Sequence, residues 1–253
     1  MKSTIWKSIS VLFVVLFSLC AANSVSAIGV TSTIRVGLNP NGIAYDSGKG
    51  EIFVSSMSNN TVSVISDTNN TVVATIKVGN QPMGLVYDSG MGKIFVTSLD
   101  GKVYVINDTT NQVIANVTVG TYPNFAAYDS GQGEIFVSNY GGSYPGSVSV
   151  ISDKNNTVVA TVSGFEELNP MDLCYDSGKG EIFVPCYGGD DHPIKVISDT
   201  NNTVVATILL PEHTGTLEPW AACYDPIKDE IFVSNADNTV SIISDTNNTV
   251  IAT

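Results

Sequence analysis

The chain of 253 residues holds two histidines, His192 and His213, and acidic side chains gather around both. Asp190 and Asp191 precede the first, and Glu212 precedes the second. Imidazole with carboxylate oxygen suits Zn or Mn, and oxygen alone suits Ca. The spacing follows no ligand motif, and a solvated acidic loop is the plain alternative. Asp190, Asp191, His192, Glu212 and His213 therefore stand as a candidate divalent-metal set, and no other cofactor is expected. Serine-based hydrolysis needs a histidine oriented by a carboxylate, but the serines recur at repeated strand and turn positions. No catalytic residue is assigned, and an enzymatic role is the less favoured reading.

A second set of side chains offers recognition. Pro40, Pro82, Pro123, Pro170 and Pro219 each stand five residues before a Tyr-Asp pair. The residues that follow them are Asn41, Met83, Asn124, Met171 and Trp220, which vary while their surroundings do not. Together with Tyr144, Tyr187 and Glu218 they form a candidate ligand-binding ring, since aromatic faces and amides stack on and bond to sugars or peptide side chains. The plain alternative is that they plug a channel.

Seven Asn-x-Thr sequons, at Asn59, Asn69, Asn107, Asn116, Asn155, Asn201 and Asn247, are candidate glycan sites in a secreted chain. Asn69, Asn155, Asn201 and Asn247 share one repeated turn, where Asn-Asn is also what a hairpin selects.

All these residues hang on one repeated frame. "YDSGKGEIFV" at 45–54 returns, little altered, from 87, 128, 175 and 224, at intervals of 42, 41, 47 and 49. A period of about 40 residues signals a repeat architecture. Each repeat contains four strand-length runs rich in Val, Ile, Tyr and Thr, here named A to D, as in "GIAYDS", "EIFVSS", "TVSVISD" and "TVVATIKVG". "DSGKGE" and "SDTNNT" supply the Gly and Asn of tight hairpins between A and B and between C and D. No stretch after residue 27 has helical periodicity. The expected fold is all-β, a β-propeller of four-stranded antiparallel blades with five repeat units starting near 38, 80, 121, 164 and 212. All length variation falls in the B–C and D–A connections, which share one face, so that face is expected to carry function.

The motifs "YDSGKGEIFVSN" and "NTVSVISDTNNTVVAT", with the following "VG" and Pro, resemble the YVTN-type β-propeller repeats of surface-layer and other secreted proteins. The resemblance runs from about residue 30 to the end and implies a ring of seven blades. "TSTIRVG" at 31–37 matches an outer strand D, yet "TVIAT" at 249–253 begins a strand D of its own. Two strands would compete for one edge in a ring of five, so the expectation is a chain truncated from a larger propeller.

Lys2 and Lys7 before an apolar run from Ile9 to Leu19, and small residues at Val25 to Ala27, read as a signal peptide over 1–27, with 28–253 as the propeller domain. No membrane span is expected after cleavage, an uncleaved N-terminal anchor being the alternative. The formal net charge of −13 would repel phosphate backbones, which argues against nucleic acid. Cys174, Cys186 and Cys223 are odd in number and are expected as small buried residues. The leading functional expectation is a secreted or cell-surface module that binds a protein or glycan partner through the B–C/D–A face. A structural surface-layer component is the alternative, and a metal-dependent enzyme at His192 and His213 the third.

Overall fold

The structure is a computed structural model that describes residues 29, 30, 32–189, 192–211 and 218–253. The signal segment, Asp190, Asp191, Glu212 and His213 lie outside the described residues. Five antiparallel sheets follow one another along the chain. The first is β1 (Pro40–Asp46), β2 (Glu51–Ser56), β3 (Thr61–Ser66) and β4 (Thr71–Lys77). The second is β5 (Pro82–Asp88), β6 (Lys93–Ser98), β7 (Lys102–Asn107) and β8 (Gln112–Thr118), and the third is β9 (Pro123–Asp129), β10 (Glu134–Asn139), β11 (Ser147–Ser152) and β12 (Thr157–Val162). In the fourth, two short segments, β13 (Asn169–Pro170) and β14 (Cys174–Asp176), pair with β15 (Glu181–Tyr187), followed by β16 (Ile194–Ser198) and β17 (Thr203–Ile208). The fifth is β18 (Pro219–Asp225), β19 (Glu230–Asn235), β20 (Val240–Ser244) and β21 (Thr249–Ala252). There is no helix among the described residues. All five sheets belong to one compact unit, Ile34–Thr253.

Local chemistry sets the hairpins. Asp46 Oδ1 accepts the Gly48 and Lys49 amides at 2.8 and 3.2 Å, and Asp88, Asp129 and Asp176 repeat that arrangement. At the other turn Asn70, with φ +56°, occupies the left-handed region that Asn tolerates.

Neighbouring sheets pack face to face, which gives four apolar cores, one per junction. Phe53, Val62 and Val64 of the first sheet meet Leu85, Ile94 and Val96 of the second, and the same positions recur at the later junctions. The first strand of each sheet packs on the first strand of the next, in the series β1, β5, β9, β14, β18. No comparable packing joins β18 back to β1.

A hydroxyl in the second strand stitches those first strands together. Thr97 Oγ1 accepts the Gly84 amide at 2.9 Å within its own sheet and donates to Asn124 O of the next at 2.6 Å. Ser55 does the same with Gly42 and Met83 O, at 2.8 and 2.6 Å. In the fourth sheet the position is Pro185, which has no hydroxyl, and there the first strand is broken into β13 and β14.

A lysine ties most junctions at the opposite turns. Lys49 Nζ donates to Asp108 O at 3.0 Å, and Lys93 and Lys179 donate to Asp153 O and Asp245 O of their following sheets. The third sheet carries Gln132 and Glu134 at those positions, and Glu134 accepts instead from Asn202 Nδ2 at 3.3 Å.

No described sheet covers the outermost faces. Val240 is 50% exposed, whereas its counterparts Val62, Val103, Val148 and Ile194 are fully buried. Cys223 is exposed for the same reason, against the expectation that all three cysteines would be buried; Cys174 and Cys186 are buried. The segment 32–36 forms no strand, and β21 occupies the outer edge of the fifth sheet.

Candidate functional site

A cavity of about 340 Å³ opens where the second and third sheets meet, lined by Met83, Leu99, Tyr122, Asn124, Tyr140 and Gly142. Met83 and Asn124 follow Pro82 and Pro123 at the starts of β5 and β9. Leu99 comes from the turn after β6, and Tyr140 and Gly142 from the expanded loop after β10. Tyr122 stands in the connection between the two sheets. The variable B–C and D–A connections thus supply four of the lining residues.

Backbone hydrogen bonds fix these walls. Tyr140 N donates to Tyr122 O and Gly141 N to Thr121 O, both at 3.0 Å, and Leu99 N donates to Gln81 O at 3.2 Å. Gly142, with φ +73°, sits so close to Tyr122 that a Cβ there would come within 2.6 Å of the ring. Its lack of a side chain is what lets the ring lie over the loop.

Tyr122 itself has φ +52°, in the left-handed region that costs a bulky residue of order 1 kcal/mol. Asn39 and Gln81 hold the same conformation at the equivalent position before Pro40 and Pro82. The turn demands that conformation, and the third repeat meets it with an aromatic ring that is 46% exposed. Strain of this kind is tolerated where the side chain has a task.

Asn124 contributes the polar element. Its Oδ1 is buried and has no hydrogen-bond partner among the described residues.

A second depression of about 380 Å³ adjoins the first and shares Leu99 and Tyr122 with it. Its polar group is Asp100, whose Oδ2 accepts Tyr104 Oη at 2.9 Å and the Asn80 amide at 3.3 Å. Burial first, and then Asp100, raise the Tyr104 phenol above its ordinary value. Asp100 makes no ion pair among the described residues.

The other candidate residues are more dispersed. Asn41 is exposed on β1 and its Nδ2 contacts Met57 Sδ at 3.7 Å, while Met171 is buried and its amide donates to Pro185 O at 2.9 Å. Trp220 is exposed on β18, and Glu218 accepts the Ala236 amide through its carbonyl at 2.9 Å. Tyr144 is exposed, and a Cβ at Gly188 would touch its hydroxyl, so it bridges the loops of the third and fourth sheets. Tyr187 lies against His192, ring centroids 6.3 Å apart, and His192 Nδ1 is buried without a partner among the described residues. No group of three His, Cys, Asp or Glu able to hold a metal exists among the described residues.

The sequons of the repeated turn share one geometry. Asn69, Asn155, Asn201 and Asn247 are exposed, and each accepts the hydroxyl of its own sequon threonine through Oδ1, at 2.7, 2.7, 2.6 and 2.7 Å.

Tyr122, Tyr140 and Leu99 were not singled out by the sequence. The signal that could have found Tyr122 is its place before Pro123, where the earlier repeats carry Asn39 and Gln81.

No protein-family model matches the chain. No curated protein matches it either. Among solved structures it is similar to Kuenenia stuttgartiensis hydrazine synthase, with a TM-score of 0.73 at 16% identity over 86% of this chain. The match spans 66% of that chain's length. At this identity the likeness is one of fold alone.

Proposed function

We propose that the five sheets are blades of a YVTN-type β-propeller, acting as a secreted or cell-surface module that holds a protein or glycan partner on its B–C/D–A face. The carrying observation is the cavity at Tyr122. It lies on the variable connections, it contains two members of the candidate ring, Met83 and Asn124, and its walls are mainly apolar and aromatic. Rigid sheets supporting variable loops are a common way to build recognition. The serial packing of first strands supports the propeller reading. Exposed sequons in the repeated turns suit a glycosylated extracellular chain, and their turns lie opposite the binding face, where glycans would not obstruct it.

The test is capture of surface glycans and surface proteins by the full chain, compared with a Tyr122→Asn variant of equal melting temperature or higher. Capture that the variant loses supports the reading. Equal capture by both, or none by either, sinks it.

A further inference from the structure

We infer that a depression on the first sheet takes an acidic sugar, its carboxylate held by Arg35 and Lys77 and its hydroxyls by Thr61 and Ser63. This is a second site beside the Tyr122 cavity, and it rests on the reading of the B–C/D–A face as a binding surface.

The depression has a volume of about 660 Å³ and lies between the segment 35–38 and strands β3 and β4, on the face that no other described sheet covers. The Leu38 amide donates to Asn59 Oδ1, and Asn39 Nδ2 donates to Ser58 Oγ at 2.7 Å. Those bonds pin the segment to the turn after β2, so the site is formed by a D–A and a B–C connection.

One short side chain leaves two hydroxyls free. In the third sheet Asn139 Nδ2 donates to Ser147 Oγ and Ser149 Oγ, at 3.1 and 2.9 Å. In the fifth, Asn235 Nδ2 donates to Thr239 Oγ1 and Ser241 Oγ, at 3.0 and 2.9 Å. The corresponding residues of the first sheet are Ser56, Thr61 and Ser63. A serine cannot supply the amide, and the Thr61 and Ser63 hydroxyls have no hydrogen-bond partner among the described residues. Both residues line the depression, and although each is largely buried, neither hydroxyl oxygen is shut off from solvent. They are therefore presented to whatever enters, already fixed on a rigid strand.

The charge is unusual for this chain. Arg35 is the one arginine of the sequence, and neither it nor Lys77 makes an ion pair among the described residues. The chain carries 24 acidic residues, yet no carboxylate lines this depression. A guanidinium fork beside an ammonium suits one carboxylate. Val36, Leu38 and Val72 add carbon for the C–H face of a pyranose ring. A bare anion would use the cations and gain nothing from those walls. A polyanion would meet a chain of formal net charge −13 with only two cations to receive it.

The experiment is calorimetric titration of the full chain with methyl β-glucuronide, set against methyl β-glucoside and inorganic sulfate. The glucuronide should bind at least about tenfold more tightly than either, and Arg35→Gln should weaken it by about the same factor, as loss of a charge-assisted bond requires. Ser56→Asn should weaken it too, because the new amide occupies both hydroxyls while every charge stays in place. Gly37 stands against Ser56 as Gly120 stands against Asn139, so the longer side chain has the room it has in the third sheet. Arg35 is exposed, so its variant probes the site without disturbing the fold. Failure of the glucuronide to bind, equal binding of the glucoside or of sulfate, or indifference to Arg35→Gln or Ser56→Asn overturns the inference. If capture that depends on Tyr122 persists in that case, the broader reading stands. Glucuronide binding without any such capture supports this site and removes the Tyr122 cavity.

Discussion

The Tyr128 hydroxyl reaches back across a sheet junction to the Asp88 carboxylate of the preceding sheet, so close that a Cβ on Gly90 would lie 2.6 Å from the hydroxyl and 3.3 Å from Asp88 Oδ1. Tyr87, Tyr175 and Tyr224 make the same approach to Asp46, Asp129 and Asp176. Tyr45 has no preceding sheet and donates to Asp67 in its own, at 3.1 Å. Tyr128→Phe should therefore destabilise the chain by about 1 kcal/mol, since it removes a hydroxyl packed against a buried carboxylate at the junction. Tyr45→Phe, at an exposed site, should cost under about 0.5 kcal/mol. Denaturant melts of the two variants side by side would show the contrast.

Those phenols also give an alkaline signature. Burial first, with the neighbouring aspartates next, pushes Tyr87 and Tyr128 up to about 12. A group whose folded value is raised lends stability that is whole below its unfolded value near 10 and is lost as pH climbs toward the folded one. The melting temperature should fall between pH 10 and 12, and less steeply in a Tyr87→Phe, Tyr128→Phe double variant. Equal slopes would refute the assignment.

The junction after the third sheet is short of positive charge. Burial first, and then nearby aspartates, raise Glu134, and burial followed by Asp129 raises Asp199. Lys49, Lys93 and Lys179 serve the other junctions, whereas Gln132 fills the place here. Gln132→Lys should stabilise by about 0.5–1 kcal/mol, the range of a partly exposed ion pair. Raised carboxyls hold their protons more tightly in the folded state, so their contribution falls as pH rises through the raised values. Glu134→Gln should flatten that acid-side slope, as thermal melts between pH 4 and 7 would report.

Thr97 joins two first strands with one oxygen. Thr97→Val keeps the shape but leaves the Gly84 amide and Asn124 O without their partner, at a cost of about 2 kcal/mol. Asn124 also lines the cavity, so the same variant should weaken binding at the Tyr122 site. Chemical denaturation and the capture assay would measure the two losses.

Tyr122→Asn should raise stability, by about 0.5–1 kcal/mol, because Asn suits the left-handed backbone that Tyr122 occupies under strain. A variant that gains stability while losing its ligand separates function from folding. A lowered melting temperature would mean that the ring is packing material.

Much of the frame was legible in the sequence. Gly and Asn at fixed offsets marked both hairpins, runs rich in Val, Ile, Tyr and Thr marked the strands, and each Pro stood just before the first strand's variable residue. These are local signals, read within one repeat. The lysine ties, the Thr97 stitch and the exposure of Cys223 depend on the neighbouring sheet, which the spelling of a single repeat does not reveal. The cavity is less legible still. Asn124 was visible as a variable position after a proline, but Tyr122, Leu99 and Tyr140 come together only because three separate connections fold onto one spot. The broken first strand of the fourth sheet coincides with Pro185, which looks in sequence like an ordinary exception to a serine.

Four cores in series, each touching only its neighbours, make this molecule behave like a short one-dimensional chain of coupled units. The middle sheets have a core on both sides, while the first and fifth have one. Amide protons should accordingly exchange most slowly in β6 and β10 and fastest in β20 and β21, a gradient of protection from the centre outward. The Tyr122 cavity lies between the second and third sheets, near the slow end of that gradient. The cavity is thus mounted on the stretch of the array with cores on both sides, where fraying at either end should leave it undisturbed.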